Sequence, residues 1–123
     1  MLTSMLPPEP HQQKYQEFHQ ALLRLQGAAR ETAPNRAALL KEASALQQFF
    51  QEQILSLSVE ELPPELMPWL QSYHTETHKQ LRLLAADLSF WQAARQPGTI
   101  EQRSAQVRTR LETLISYSET VLG

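Results

Sequence analysis

Two histidines four residues apart are the most obvious candidates for chemistry in the chain. His74 and His78 share one face of a predicted helix, and this HxxxH spacing can bind a divalent metal ion. Glu76, between them, lies about 200° round the helix from His74, so the run is not the HExxH of a metalloprotease. A metal site needs a third ligand, and the other histidines are His11 and His19. We predict surface histidines, with no metal and no other cofactor.

Groups for acid–base or nucleophilic catalysis are not paired along the sequence. Asp87 is the sole carboxylate within the apolar third helix, and we expect it to pair with a neighbouring arginine in solvent. Ser116 and Ser118 have no histidine within their own predicted helix. The chain has no cysteine and three glycines, which excludes a thiol nucleophile and a glycine-rich phosphate loop. We predict no catalytic residues and no enzymatic activity.

Length and composition indicate one packed domain. The chain has 123 residues, of which 41% are hydrophobic and 20% charged, and its net charge is −2. This charge argues against a general nucleic-acid binder, although arginines collect near the last predicted hairpin, at positions 95, 103, 108 and 110. They form either a solvated face or a surface for an acidic partner. Without a signal peptide or a membrane-length apolar run, we expect a cytoplasmic protein with no membrane contact.

Apolar residues recur in steps of three and four, which predicts helices throughout. Residues 1–10 form a proline-rich N-terminal lead, and residues 11–123 form the helical domain. The second helix is predicted from Pro34 to about Leu57 and the third from about Pro68 to Arg95. Thr99, with Gln102 three residues later, is predicted to cap the fourth helix.

Short connections favour antiparallel neighbours, and each predicted helix has one apolar stripe. The sequence therefore predicts an all-α fold, an up-down antiparallel four-helix bundle with a long third helix of about 40 Å. The fourth stripe alternates strictly by four and three, as in a heptad seam. Its members are Ile100, Ser104, Val107, Leu111, Leu114, Ser118 and Val121.

Adjacent large apolar residues suggest a surface beyond the core. Phe49 precedes Phe50, and Phe90 precedes Trp91, so one member of each pair lies about 100° off the central stripe. These residues either widen the core or form an exposed patch for self-association or a partner. We predict a homodimer or partner contact through the following residues: Leu83, Phe90, Trp91, Ala94, Arg82, Arg95, Phe49 and Trp69.

A family resemblance adds a more specific expectation. Segments that cover nearly the full chain resemble the cyanobacterial PatD-like family; they include Leu62-Pro63-Pro64, Tyr73, Thr75-Glu76, the run 79–84, the run 92–97, and the segments 48–57 and 110–123. The resemblance implies a protein linked to heterocyst development that binds the tubulin-like division protein FtsZ and promotes its assembly. It carries over no catalytic residue.

Two function classes follow from these observations. The first is a non-enzymatic interaction protein that binds FtsZ and modulates its filaments, which would link cell division to heterocyst differentiation. The alternative is a helical adaptor or chaperone for another cyanobacterial complex, which would use the same surface. A ligand-binding enzyme inside the bundle would need buried polar groups, and the stripes offer these only at Thr77, Ser104 and Ser118.

Overall fold

The computed structural model describes residues 9–57 and 62–122, and within these ranges it contains helices and no strand. The described chain is all-α, as predicted, and its four long helices pack against one another. Residues 1–8 of the predicted N-terminal lead lie outside the described part. The helical elements are α1 (Glu9–Ala29), α2 (Arg36–Phe49), a π turn (Phe50–Ile54), a 3-10 turn (Pro64–Leu66), α3 (Met67–Ala93) and α4 (Pro97–Leu122).

The predicted apolar stripes form the core. On α1, the buried apolar residues recur in steps of three and four, namely Tyr15, Phe18, Leu22, Leu25 and Ala29. On α4, the residues from Ser104 to Val121 that recur by three and four are also buried. Every one of these stripes contributes to one continuous cluster, so a single core holds the helices together.

The first residues of α1 and α2 differ slightly from the predicted ones. α1 begins at Glu9 rather than near His11. α2 begins at Arg36 rather than Pro34, because the Asn35 side chain caps it: the Ala38 amide donates to Asn35 Oδ1 at 3.0 Å. The asparagine oxygen satisfies an unpaired amide of the first turn, which the side chain of Pro34 could not do.

The second helix ends in a π turn. The Leu55 amide donates to the Phe50 carbonyl oxygen at 2.9 Å, five residues back instead of four. Phe50 and Ile54 are buried within this turn, whereas Leu57, predicted as the last member of the stripe, is only half-buried. The turn therefore continues the buried face for one turn beyond α2.

Prolines determine where the last two helices begin. Pro68 lies in the first turn of α3, close to its predicted start. α4 begins at Pro97, so the capping pair predicted at Thr99 and Gln102 is wrong. The Ile100 amide donates to the Gln96 carbonyl oxygen at 2.9 Å, which closes a helical turn before Thr99 would do so.

The helices pack in a closed order in which each contacts the next along the chain and α4 returns to α1. A cross-helix contact fixes one end of this arrangement. Arg36, the first residue of α2, donates through Nη1 to the carbonyl oxygens of Trp91 and Ala94, the latter at 3.3 Å. A cation at these C-terminal carbonyls of α3 is favourable, since they are the negative end of the helix dipole.

Candidate functional site

A cluster of buried aromatic and histidine side chains lies between the start of α1 and the start of α3. The Tyr15 hydroxyl is 2.8 Å from His74 Nε2, and the ring of Tyr15 meets Tyr73 edge-on at 5.7 Å between centroids. Phe50, from the π turn, contacts His74 edge-on at 6.0 Å. His11 is buried beside them. The cluster therefore joins three helical elements.

Burial, and to a smaller extent charge repulsion from the nearby His11, together lower the pKa of His74 to about 4. Burial also raises the pKa of the Tyr15 phenol above its usual value. Near neutral pH the phenol is therefore the donor and His74 Nε2 the acceptor, which leaves the imidazole proton on Nδ1. His74 acts in this pair as a neutral structural acceptor.

The cluster predicts a specific acid sensitivity. Because the pKa of His74 is about 4 in the folded chain and 6.5 in an ordinary environment, the unfolded chain binds this proton more tightly. The stabilising effect of neutral His74 is complete above pH 6.5 and decreases as the pH falls towards 4. Allowing for partial solvent exposure, we expect this contribution to be about 2 kcal/mol.

His74→Gln keeps an acceptor for the Tyr15 hydroxyl and removes the titration. We expect the free energy of unfolding, measured in urea, to decrease about 2 kcal/mol less in this variant between pH 7 and pH 4 than in the parent chain. His11 and Tyr15 on α1 face residue 74 and are unchanged in both proteins, so the difference between them reports on residue 74. His78→Gln is the matched control and should retain the parental decrease; equal decreases in all three proteins would contradict the assignment.

Three buried polar atoms next to this cluster and deeper in the core have no hydrogen-bond partner among the described residues. They are the Tyr73 hydroxyl, the Thr77 hydroxyl and the Trp91 indole nitrogen. Burial is the main cause of the raised pKa of Tyr73; Tyr15 raises it further, and the approach of the Thr77 hydroxyl lowers it. The two hydroxyls approach each other without reaching hydrogen-bond geometry, and each such orphan costs roughly 1–3 kcal/mol.

The fold also brings a histidine and a serine together that the sequence keeps far apart. His19 Nδ1 on α1 is 2.6 Å from Ser118 Oγ on α4. The serine donates its only proton to the Ile115 carbonyl oxygen at 2.8 Å, so His19 Nδ1 is the donor in this pair. A serine that accepts from the histidine is not activated by it, and Ser118 is wholly buried. The pair links α1 to α4.

Asp87 makes the ion pair that the sequence suggested, in a less solvated place than expected. Arg110 Nε donates to Asp87 Oδ2 at 2.9 Å, and Arg110 Nη1 donates to Gln80 Oε1 at 3.0 Å. Asp87 and Gln80 are both buried, so the prediction of a solvated Asp87 is wrong. The three side chains form a polar bridge between α3 and α4.

His74 and His78 line a small cavity of about 370 Å³ on the outer side of α3, together with Leu55, Lys79 and Arg82. Between residues 9 and 57 and between 62 and 122, no three His, Cys, Asp or Glu side chains are grouped so that they could hold a metal ion. The lining of this cavity therefore includes two imidazoles and two cationic side chains. A larger open groove of about 800 Å³ runs between α1 and α2, with Ala21, Leu46 and Phe49 among its lining residues.

The predicted contact residues divide into buried and exposed groups. Trp91 is 3% exposed and Ala94 is 7% exposed, so both belong to the core rather than to a surface patch. The prediction that these two residues belong to an exposed patch is therefore wrong, and the reason is geometric. Trp91 continues the buried series of Leu84 and Leu88 at helical spacing. The Arg36 side chain donates to the Ala94 carbonyl oxygen.

Two further aromatic residues support the core from its edge. Phe49 and Trp69 are half-buried and pack against the core cluster. The remaining predicted contact residues are exposed, namely Leu83, Phe90, Arg82 and Arg95. With 54% of its side chain exposed, Phe90 is the most accessible large apolar residue of the described chain.

Phe90 is held against a cation from the next helix. The guanidinium carbon of Arg103 on α4 lies 4.6 Å from the centroid of the Phe90 ring. Such a pair contributes about 0.5–1 kcal/mol at an exposed site. Leu83 precedes Phe90 by seven residues, which places it on the same side of α3 two turns away. Sequence spacing found Phe90 and Leu83, but Arg103 appeared only as one of several clustered arginines.

Charge is unevenly distributed along the bundle. The contact of Arg36 with the carbonyl oxygens of Trp91 and Ala94 joins the α1–α2 connection to the α3–α4 connection. Five arginines lie in or near these two connections, at what we call the arginine end: Arg24, Arg30, Arg36, Arg95 and Arg103. Two carboxylates, Glu31 and Glu101, lie in the same segments. The opposite segments bear mainly carboxylates, including Glu17, Glu52, Glu65 and Glu119.

Phe90 and Leu83 thus form an exposed apolar ridge on α3, with Arg103 over the Phe90 ring. Comparison of the chain with protein-family models, with curated proteins and with solved structures finds no match. None of the described helices combines the length and the apolar character that crossing a membrane would require.

Proposed function

We propose that the chain is a non-enzymatic helical interaction protein that binds the tubulin-like protein FtsZ and modulates its filament assembly. The family is taken from the sequence resemblance to PatD-like proteins, which implies a role that links cell division to heterocyst differentiation in the cytoplasm. The observation that carries the interaction class is the exposed Phe90 ring, stacked under Arg103 with Leu83 on the same side of α3. Aromatic and arginine side chains are the residue types most enriched at binding hot spots.

The proposal includes the up-down antiparallel order of the four helices. Contacts between the start of one helix and the end of the next support it. Arg36 at the start of α2 reaches Ala94 just after α3, and His19 at the middle of α1 reaches Ser118 near the end of α4. Arg103, near the start of α4, covers Phe90 near the end of α3. In this order the connections of α1 to α2 and of α3 to α4 lie at the arginine end.

FtsZ filaments assemble by contacts between copies of FtsZ, so a protein without a reaction centre would act on them by occupying or bridging surfaces. We expect it to change how filaments assemble and bundle while leaving the chemistry of GTP hydrolysis to FtsZ. A homodimer would double each contact and raise the apparent affinity through avidity. Sedimentation at high micromolar concentration tests this addition, and a monomer there would remove the dimer.

Pelleting and light scattering of FtsZ with this protein test the central proposal. We expect more pelleted polymer and stronger scattering with the parent chain, and about a tenfold higher concentration requirement for Phe90→Ala. Leu23→Ala is the matched control, because Leu23 is exposed to 37% on α1, away from Phe90. Scattering and pelleting that do not change on addition of the parent chain would refute FtsZ as the partner.

The second candidate function is an adaptor or chaperone for another cyanobacterial complex. The groove of about 800 Å³ between α1 and α2 favours it, since a second apolar surface would allow two partners to be held together. A pull-down from cyanobacterial lysate with the parent chain and Phe90→Ala separates the two candidates. Recovery of FtsZ only with the parent chain supports the first, and recovery of a different complex supports the second.

A further inference from the structure

The surface around Phe90 combines apolar area with uncompensated positive charge. We call it the arginine–phenylalanine face and define it by Leu83, Phe90, Arg95 and Arg103. Phe90 is 54% exposed, and Leu83 lies on the same side of α3, so two apolar side chains stand open to solvent. Arg95 follows the end of α3, where its Nη1 donates to the Gln92 carbonyl oxygen at 3.1 Å. The face thus has an apolar ridge with a cation beside it and another at its end.

Two carboxylates that are close to this face in the sequence pair with other cations. Asp87, between Leu83 and Phe90 in the sequence, pairs with Arg110 at 2.9 Å. Glu101, two residues before Arg103, pairs with Arg108 at 3.7 Å. In the described ranges Arg103 pairs with the Phe90 ring and with no carboxylate. The Arg103 guanidinium, which lies over the Phe90 ring, therefore keeps N–H donors that can hydrogen-bond to a binding partner.

We propose that the arginine–phenylalanine face binds an acidic segment of a partner protein that presents bulky apolar side chains. The apolar side chains cover Phe90 and Leu83, and a carboxylate pairs with the guanidinium of Arg103. A planar guanidinium offers two parallel donors that match the two oxygens of a carboxylate, and stacking on an aromatic ring holds it in place for that contact. This inference rests on the proposed function as an interaction protein, and it adds the chemistry of the partner.

Charge distinguishes this occupant from a second copy of the chain. A twofold pair through the same face would bring two copies of the same positively charged patch together, because a twofold interface is formed by the same patch on both subunits. Arg95 and Arg103 would then face like charges over a small apolar ridge. An acidic segment replaces this repulsion with attraction.

Charge also distinguishes it from a nucleic acid. The end of the bundle opposite to the arginine end bears Glu17, Glu52, Glu65 and Glu119, and the chain has a net charge of −2. A long polyanion that spans the molecule would meet these carboxylates. A short acidic segment can contact the arginine–phenylalanine face alone. The exposed leucine beside Phe90 adds apolar area that a phosphate backbone would not use.

The probe is a fluorescein-labelled synthetic peptide in which glutamates surround two leucines spaced by two helical turns. We expect saturable binding by fluorescence anisotropy that weakens as NaCl is raised from about 50 to 300 mM. Phe90→Ala and Arg103→Gln should each weaken binding about tenfold. Leu23→Ala and Arg30→Gln are matched controls and should stay within about twofold. Thermal melts establish that all four variants are folded.

Several outcomes would overturn the inference. These are no binding of the acidic peptide, equal binding of a peptide with lysine in place of glutamate, or equal affinity for Phe90→Ala and the parent chain. Tighter binding of a single-stranded oligonucleotide, lost in Arg103→Gln, would assign the face to nucleic acid instead. Dimerisation in sedimentation that Phe90→Ala abolishes would assign it to a second copy.

The same variants in FtsZ pelleting separate this inference from the proposed function. If FtsZ responds to the parent chain and to Arg103→Gln alike, the function stands and the face is wrong. If the acidic peptide binds as expected while FtsZ does not respond to any variant, the face stands and the partner is wrong.

Discussion

Phe50→Ala is expected to lower the free energy of unfolding by about 3–5 kcal/mol, the largest effect of any substitution considered for this chain. The ring is wholly buried and contacts Phe18 on α1 at 5.2 Å and Tyr73 on α3 at 6.4 Å between centroids. Its removal leaves a cavity among three helical elements, and the π turn that begins at Phe50 limits how far the neighbours can relax into it. Urea unfolding followed by circular dichroism measures the loss.

Phe49→Ala is the matched control, because it removes the same ring from the adjacent position. Phe49 is half-buried at the edge of the core and lines the groove between α1 and α2. Its loss should cost about 1–2 kcal/mol, since part of the ring already contacts water. Equal costs for the two substitutions would contradict the position of the second helix relative to the core.

Arg110→Met is expected to lower the free energy of unfolding by about 2–4 kcal/mol. Methionine replaces the long side chain with one of similar reach, so little packing is lost. The Asp87 carboxylate, however, stays mostly buried after its guanidinium partner is removed, and Gln80 loses the donor to its side-chain oxygen. An uncompensated buried charge costs more than the pair itself contributes. Urea unfolding at neutral pH measures the difference.

The double variant Asp87→Leu with Arg110→Met supplies the control. With both charges removed, we expect stability to return to within about 1 kcal/mol of the parent chain. The interaction energy from this double-mutant cycle should therefore be large and of opposite sign to the single losses. Strictly additive losses would show that the Asp87–Arg110 contact does not form in solution.

Helical spacing was enough to predict most of the fold. Each apolar stripe in steps of three and four is buried, because one face of each helix is all that a four-helix core can take up. The helix boundaries were less predictable, since several signals compete there. Asn35 replaces Pro34 at the start of the second helix, and Pro97 precedes Thr99 at the start of the fourth. A hydrogen bond sets each boundary: the Ala38 amide donates to the Asn35 side chain in the second helix, and the Ile100 amide donates to the Gln96 carbonyl oxygen in the fourth.

The surface was only half predictable, for a reason of geometry. Adjacent side chains on a helix point about 100° apart, so one residue of the pair Phe90 and Trp91 is buried and the other exposed. The residue types of the pair do not decide which of the two is buried. The stripe through Leu84 and Leu88 selects Trp91 as the inner one. The pairs of Asp87 with Arg110 and His19 with Ser118 join distant helices, so sequence spacing had no access to their geometry.

The separation of arginines from carboxylates along the bundle has a kinetic consequence. A molecule charged oppositely at its two ends experiences a torque in the electric field of an acidic partner and turns its arginine end forward before the surfaces touch. Such steering accelerates productive encounters, and its range shrinks as ions shorten the Debye length, about 8 Å at physiological ionic strength. Added salt should therefore decrease the association rate constant by a larger factor than it shortens the lifetime of the complex.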